Sequence, residues 1–225
     1  MNDLLINGVF PIDVSNLRFW LGLALCIIVP YLLGSVNFAV IFSRFVKNED
    51  IRDFGSKNAG ATNMMRVYGR GLSVLTFIFD ALKGALSAFL GLMIFPNDCF
   101  AYVCAFFCML GHAFPIFFGF RGGKGVSTIA GAIIVLNPIV AAILCFVFFF
   151  IGYISKYVSL ASMVATLLFP ALNIVIPLYS IPPFLFTKTL FSVLMPLLVV
   201  FLHRKNIVRL FNGTESKAFV KKEKK

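Results

Sequence analysis

Ile133-Ile-Val-Leu-Asn-Pro-Ile-Val-Ala-Ala-Ile-Leu-Cys-Phe-Val-Phe-Phe-Phe-Ile-Gly-Tyr-Ile154 contains no Asp, Glu, Lys, Arg or His. At about 1.5 Å rise per residue, an apolar run of this length suits a helix in the roughly 30 Å hydrocarbon core of a bilayer. Asn137 and Pro138 interrupt it, so two helical segments meet there. Comparable runs at Leu21–Leu33, Leu72–Ala81 and Leu190–Leu202 are separated by short polar or Gly/Pro-containing breaks. Of the 225 residues 60% are hydrophobic and 13% charged, against about 45–50% and about 25% in soluble domains. A soluble fold could not bury that excess. The chain is read as an all-α integral membrane protein, a single polytopic domain over 1–225 with 219–225 a basic, frayed tail.

Charge placement orients the helices. Arg44, Lys47, Arg52, Lys57, Arg66 and Arg70 crowd one loop, Arg121 and Lys124 a second, Lys156 a third, and eight Lys/Arg the tail from Arg204. Seven spans near 19–45, 72–95, 100–120, 126–137, 139–155, 158–177 and 187–202 place all of these on one side and leave only Arg18 and Lys188 opposite. The positive-inside rule makes the crowded side cytoplasmic, with the N-terminus outside and the C-terminus cytoplasmic. Val126–Asn137 is too short to cross alone and is expected to be a partial or broken helix, with a five-span arrangement as the alternative. Asp3 and Asp13, with no Lys or Arg before Arg18, exclude a basic signal-peptide start, so the first helix is expected to stay. The net charge of +11 thus sets topology and implies no nucleic-acid partner. Cys26, Cys99, Cys104, Cys108 and Cys145 form no CxxC pair and read as small apolar residues. No 20–50-residue period recurs.

The polar residues gather in three segments on the cytoplasmic side. The first, Asp50–Arg66, packs Gly55, Ser56, Asn58, Gly60, Thr62, Asn63 and Arg66 into a turn-rich stretch. Glycines let backbone N–H groups converge, and hydroxyls, amides and one cation complete a cradle for a dianion. The second, Gly119–Thr128, sets Gly122, Gly123 and Gly125 around Lys124, with Ser127 and Thr128 opening the next helix. A helix N-terminus there would aim donors at whatever Lys124 attracts. It is not a Walker A loop, because Gly125 follows the lysine and Phe118 stands where that pattern needs glycine.

The third segment, His203–Lys217, puts His203 and Asn206 on one face of a short interfacial helix, with Arg204, Lys205 and Arg209 as a basic anchor. Glu215 reads as a cap or ion-pair partner within that tail. Ser159 and Ser162 fall near the cytoplasmic end of the sixth span. Asp80 and Lys83 read as a structural i,i+3 pair facing protein, since each costs roughly 2.5–3.5 kcal/mol toward lipid. His112, in an apolar span, reads as a packing residue.

These segments resemble the PlsY family of membrane glycerol-3-phosphate acyltransferases over roughly 31–217. The resemblance rests on Tyr31-Leu-Leu-Gly-Ser35, Asp50-Ile-Arg52, Gly55-Ser56 with Asn58, Gly60-Ala-Thr-Asn63 with Arg66, Lys83-Gly84, Gly111-His112 and Phe114-Pro115. It continues with Gly122-Gly-Lys-Gly-Val126 and Thr128, Ser159-Leu-Ala-Ser162, and His203-Arg204 through Asn206, Arg209, Gly213, Glu215 and Lys217. Lys57, where the family commonly has Gly, and Asn37, where Pro or a small residue is frequent, depart from it. The resemblance implies a seven-helix bacterial inner-membrane enzyme with its active site facing the cytoplasm. It would take acyl phosphate and glycerol 3-phosphate among the membrane lipids, use no cofactor or metal, and act as a monomer. Its products would be 1-acylglycerol 3-phosphate and inorganic phosphate, the first acylation of phospholipid synthesis.

Carried over by position, Ser56, Arg66, Lys124, Ser162, His203 and Asn206 would be catalytic. Gly55, Asn58, Gly60, Thr62, Asn63, Gly122, Gly123, Gly125 and Thr128 would bind phosphate. Either His203 or a substrate phosphate would accept the hydroxyl proton. An acyltransferase using His, four intervening residues and then Asp is excluded, because Phe117 and Val208 stand at the Asp position after His112 and His203. The competing class is an organic-phosphate transporter, which would hold its anion site near the midplane.

Overall fold

The computed structural model describes residues 16–95, 98–176 and 185–217. The expected tail at 219–225, Asp3 and Asp13 lie outside these residues. The described chain forms ten helices: α1 Leu17–Ser35, α2 Phe38–Lys47, α3 Ala61–Tyr68, α4 Arg70–Ile94, α5 Asp98–Ala113, α6 Val126–Leu136, α7 Pro138–Ser155, α8 Val158–Val175, α9 Leu185–Leu202 and α10 Arg204–Phe211. Five stretches are long and apolar enough to cross a membrane, and a sixth is added if α9 and α10, bent by 57°, count together.

The first expected span, 19–45, is not one straight helix. Val36 and Asn37 take extended backbone between α1 and α2. The Asn37 side chain caps α2 by accepting from the Val40 N–H at 3.1 Å. Lys83 of α4 donates to the freed carbonyls of Gly34 (2.9 Å) and Val36 (2.7 Å). A break in lipid leaves carbonyls that water cannot reach, so an internal cation in this place satisfies them. The third proton of Lys83 faces Asp80, whose Oδ1 lies 2.8 Å away with both side chains buried.

The short segment expected at 126–137 is α6, of 11 residues, or about 16 Å. Close contact with α4 holds it. A Cβ on Gly84 would lie 1.9 Å from the Thr128 carbonyl oxygen, and one on Gly131 1.8 Å from that of Ala81. Small residues admit such backbone approach in membrane bundles. The other face of α6 packs Ile129, Ile133 and Leu136 into a core shared with Tyr102, Phe169 and Met195. Asn137 ends α6, caps α7 through the Val140 N–H at 3.1 Å and donates to the Ile176 carbonyl at 2.7 Å.

The α2–α4, α5–α6 and α7–α8 connections and the chain after α9 all reach one cleft, so successive helices from α4 onward alternate in direction. The polar end of the bundle is thereby fixed. Replacing Gly131 by Val drives a side chain into the Ala81 backbone. It is expected to destabilise the fold by about 1–3 kcal/mol, read as a lowered Tm in detergent. An unchanged Tm would remove α6 from its place against α4.

Candidate active site

The first loop is shaped by Asp50 and Asn63. Asp50 Oδ1 accepts from Arg52 Nε at 2.9 Å, and its Oδ2 accepts from Arg52 (2.8 Å) and Arg44 (2.9 Å). The hydrogen bond from Arg52 is the main cause that holds its carboxyl well below the usual range. Arg52 also donates to the Phe118 (2.6 Å) and Arg121 (3.2 Å) carbonyls, which ties the first loop to the second. Asn63 gives its amide hydrogens to the Ile51 (3.2 Å) and Phe54 (3.0 Å) carbonyls and accepts from the Ser56 N–H at 2.9 Å. It therefore folds the turn that presents Ser56. Gly55 and Lys57 both take left-handed backbone, φ 58° and 59°. The departure at Lys57 thus falls where glycine is the unstrained residue.

The turn-rich reading of this segment holds only to Gly60, because Thr62, Asn63 and Arg66 stand on α3. That spacing puts Thr62 and Arg66 one turn apart on one face. In the second loop, Gly125 at φ 79° starts α6. Lys124 donates a hydrogen bond to the Asn206 side-chain oxygen. Ser162 of α8 donates to its own Val158 carbonyl at 2.8 Å and keeps its lone pairs. His203 packs its Nδ1 2.8 Å from the Val199 carbonyl. A carbonyl only accepts, so Nδ1 carries the hydrogen and the neutral ring keeps a lone pair on Nε2.

These groups meet in an open cleft of about 110 Å³, lined by Ser56, Asn58, Gly60, Thr62, Asn63, Arg66, Lys124, Gly125, Ser162, His203 and Asn206. Four other expected residues stand behind that lining. Gly55 backs onto the Asn63 side chain, Gly122 and Gly123 onto His112, and Thr128, fully buried, onto Gly84. They shape the walls.

Glu215 occupies the middle of the cleft's charge, a position its setting in a basic tail did not disclose. Its carboxylate accepts from Asn206 (2.8 Å), Ser159 (3.1 Å) and Arg209 (2.7 Å) and lies 3.8 Å from Arg66. Arg209, expected as an anchor, is partly exposed and pairs with Glu215. Burial would raise the Glu215 pKa, but the bonds from Arg209, Asn206 and Ser159 outweigh it and hold the group below its ordinary value. Lys124 is pushed down to about 8, by burial above all and then by Arg209 and Arg66, with Glu215 opposing. Asp80, His112, Ser127, Phe77 and Phe148 also line the cleft. A pocket with this donor set and an apolar flank suits a phosphate-bearing amphiphile.

A family model described as Glycerol-3-phosphate acyltransferase matches residues 24–213. Proteins of that description from Syntrophomonas wolfei and Bacillus cytotoxicus are 40% and 41% identical, over 86% and 89% of this chain and 96% and 98% of theirs. The fold is similar to the crystal structure of PlsY (YgiH), an integral membrane glycerol 3-phosphate acyltransferase. The glycerol 3-phosphate form gives a TM-score of 0.80 at 34% identity, covering 87% of this chain and 94% of that one. The lysophosphatidic acid form gives 0.78 at 32%, with the same coverage.

Glu215→Ala strands the Asn206 amide and leaves Arg66, Arg209 and Lys124 facing one another. It is expected to cost about 2 kcal/mol or more in stability, with Glu215→Gln closer to wild type, by thermal unfolding in detergent. Equal stability in all three proteins would deny Glu215 its place in the network.

Proposed function

The chain belongs to the glycerol-3-phosphate acyltransferase family, and we propose that this cleft transfers an acyl group from acyl phosphate to glycerol 3-phosphate. The products are 1-acylglycerol 3-phosphate and inorganic phosphate. The observation that carries this reading is the convergence of four chain segments' hydroxyls, amides and cations on one cleft with an apolar flank. Both substrates are phosphates, and the flank of Phe77 and Phe148 suits an acyl chain.

Ser56, Thr62 and the backbone N–H groups around Gly60 hold the acyl phosphate head, with Asn63 fixing the turn. Arg66 and Lys124 draw the two phosphates, while Ser162, His203 and Asn206 orient the glycerol hydroxyl. The hydroxyl oxygen attacks the acyl carbonyl carbon, the bond from that carbon to the bridging phosphate oxygen breaks, and inorganic phosphate departs. Phosphate leaves a mixed anhydride readily, so catalysis is mainly positioning and charge stabilisation. The hydroxyl proton passes to a phosphate oxygen. An imidazolium beside Lys124 and Arg66 would add a further cation to the cluster, whereas a phosphate oxygen is attracted there.

In the membrane we place all seven segments as expected, with α6 a partial span packed on α4, the N-terminus outside and the C-terminus cytoplasmic. The basic loops support this orientation, with the cleft facing the cytoplasm of a bacterial inner membrane. We take the chain to act as one domain and as a monomer. A cleft at one end of the bundle favours this enzyme over a carrier with a midplane site.

In lipid vesicles, phosphate release from palmitoyl phosphate is expected to require glycerol 3-phosphate, to match lysophosphatidic acid formed, and to collapse in Lys124→Ala. Glycerol 3-phosphate uptake by folded protein without turnover would replace the enzyme with a carrier. His203→Gln is expected to lower kcat roughly tenfold to a hundredfold by misplacing the hydroxyl. Abolition at every pH would instead make His203 the base.

A further inference from the structure

We propose that His112, oriented by Asp80, is a positioning residue that sets the gap between the two phosphate-binding loops and so places Lys124 opposite Ser56. Asp80 Oδ1 lies 2.8 Å from Lys83 Nζ and 3.4 Å from His112 Nδ1, every side chain at 4% exposure or less. Lys83 is in turn anchored on the Gly34 and Val36 carbonyls. The imidazole thus stands at the end of a buried row of charged groups that reaches the break between α1 and α2, two elements that bear no cleft-lining side chain.

The opposite edge of the ring meets the second loop. A Cβ on Gly123 would stand 2.1 Å from His112 Nε2, and one on Gly122 2.0 Å from the His112 carbonyl oxygen. The Gly123 N–H donates to the His112 carbonyl at 3.1 Å and that of Gly122 to Ala113 at 3.2 Å. Two successive glycines therefore lie flat on one residue, directly before Lys124. The first loop closes on the same point, because the Ala59 carbonyl oxygen would lie 2.7 Å from that Gly123 Cβ. Asn37 holds this carbonyl by donating to it at 3.3 Å. Imidazole, Gly123 and Ala59 form three layers without slack, and Ser56 and Lys124 lie three residues and one residue from the stack. Asp80 and His112 border the same cleft, so a tilt of the ring shifts Lys124 relative to the donors of the first loop.

The inference rests on the acyltransferase reading of this cleft, and its test is built to fail separately from that reading. Full-length wild type, His112→Ala, Gly123→Ala and the double variant are assayed in vesicles for lysophosphatidic acid, with glycerol 3-phosphate varied at saturating palmitoyl phosphate and Tm measured for each. Either single change is expected to raise KM for glycerol 3-phosphate on the order of tenfold, with kcat changed much less. The double variant should be no worse than the worse single, because both act on one spacing. Multiplying effects, or kcat losses that track the unfolded fraction at an unchanged KM, would overturn the proposal. If His112→Ala does not fold, His112→Gln with Gly123→Ala completes the same cycle with the same criteria. A wild type that makes no lysophosphatidic acid would refute the acyltransferase reading itself.

Discussion

Lys124, Arg66 and Arg209 repel one another in a partly desolvated cleft, and the Glu215 carboxylate holds them together. Taking these cations partly out of water costs free energy unless a carboxylate opposes them. Glu215 offsets that cost by accepting from Arg209 and Asn206 and approaching Arg66. Asn206 passes the constraint on, since its amide hydrogens face Glu215 and its oxygen receives Lys124. The orientation of one asparagine thus couples the tail of the chain to the second loop.

The helices serve that arrangement by bringing distant segments to one end of the bundle. The short α6 can lie flush on α4 because Gly84 and Gly131 leave backbone exposed to backbone. Its N-terminus then stands at the cleft, directly after Lys124. The break between α1 and α2 performs a similar service for the first loop, since Asn37 reaches from the break to Ala59. Lys83 fills the carbonyls that the break exposes, which makes an ion-bearing helix interior tolerable in lipid.

Apolar runs and basic loops carried the architecture, because membrane thickness and charge asymmetry act on composition alone. The ends of α4, α7 and α9 fall close to those of the expected spans 72–95, 139–155 and 187–202. The break at Val36–Asn37 falls inside the expected span 19–45, and its partner Lys83 lies far along the chain. Ser56, Arg66, Lys124, His203 and Asn206 are marked by motif and do share a cleft, whereas Glu215 makes the pairing expected within its tail and reaches beyond it. A lone acid in a basic tail looks like local pairing, and its partner Ser159 lies on another helix. Gly122 and Gly123 show the opposite difference: they resemble a phosphate cradle in sequence, but in the fold they rest on His112.

Lys124, as a cation that draws a substrate phosphate, is the group on which the account turns. The most direct test is the number of protons taken up when glycerol 3-phosphate binds at pH 8, from calorimetry in buffers of different ionisation heat. With Lys124 at about 8 in the empty cleft, the dianion should recharge it, with net uptake of roughly half a proton per site that disappears in Lys124→Arg. Tight binding without uptake, unchanged by that substitution, would mean that Lys124 does not carry the phosphate and would contradict the account.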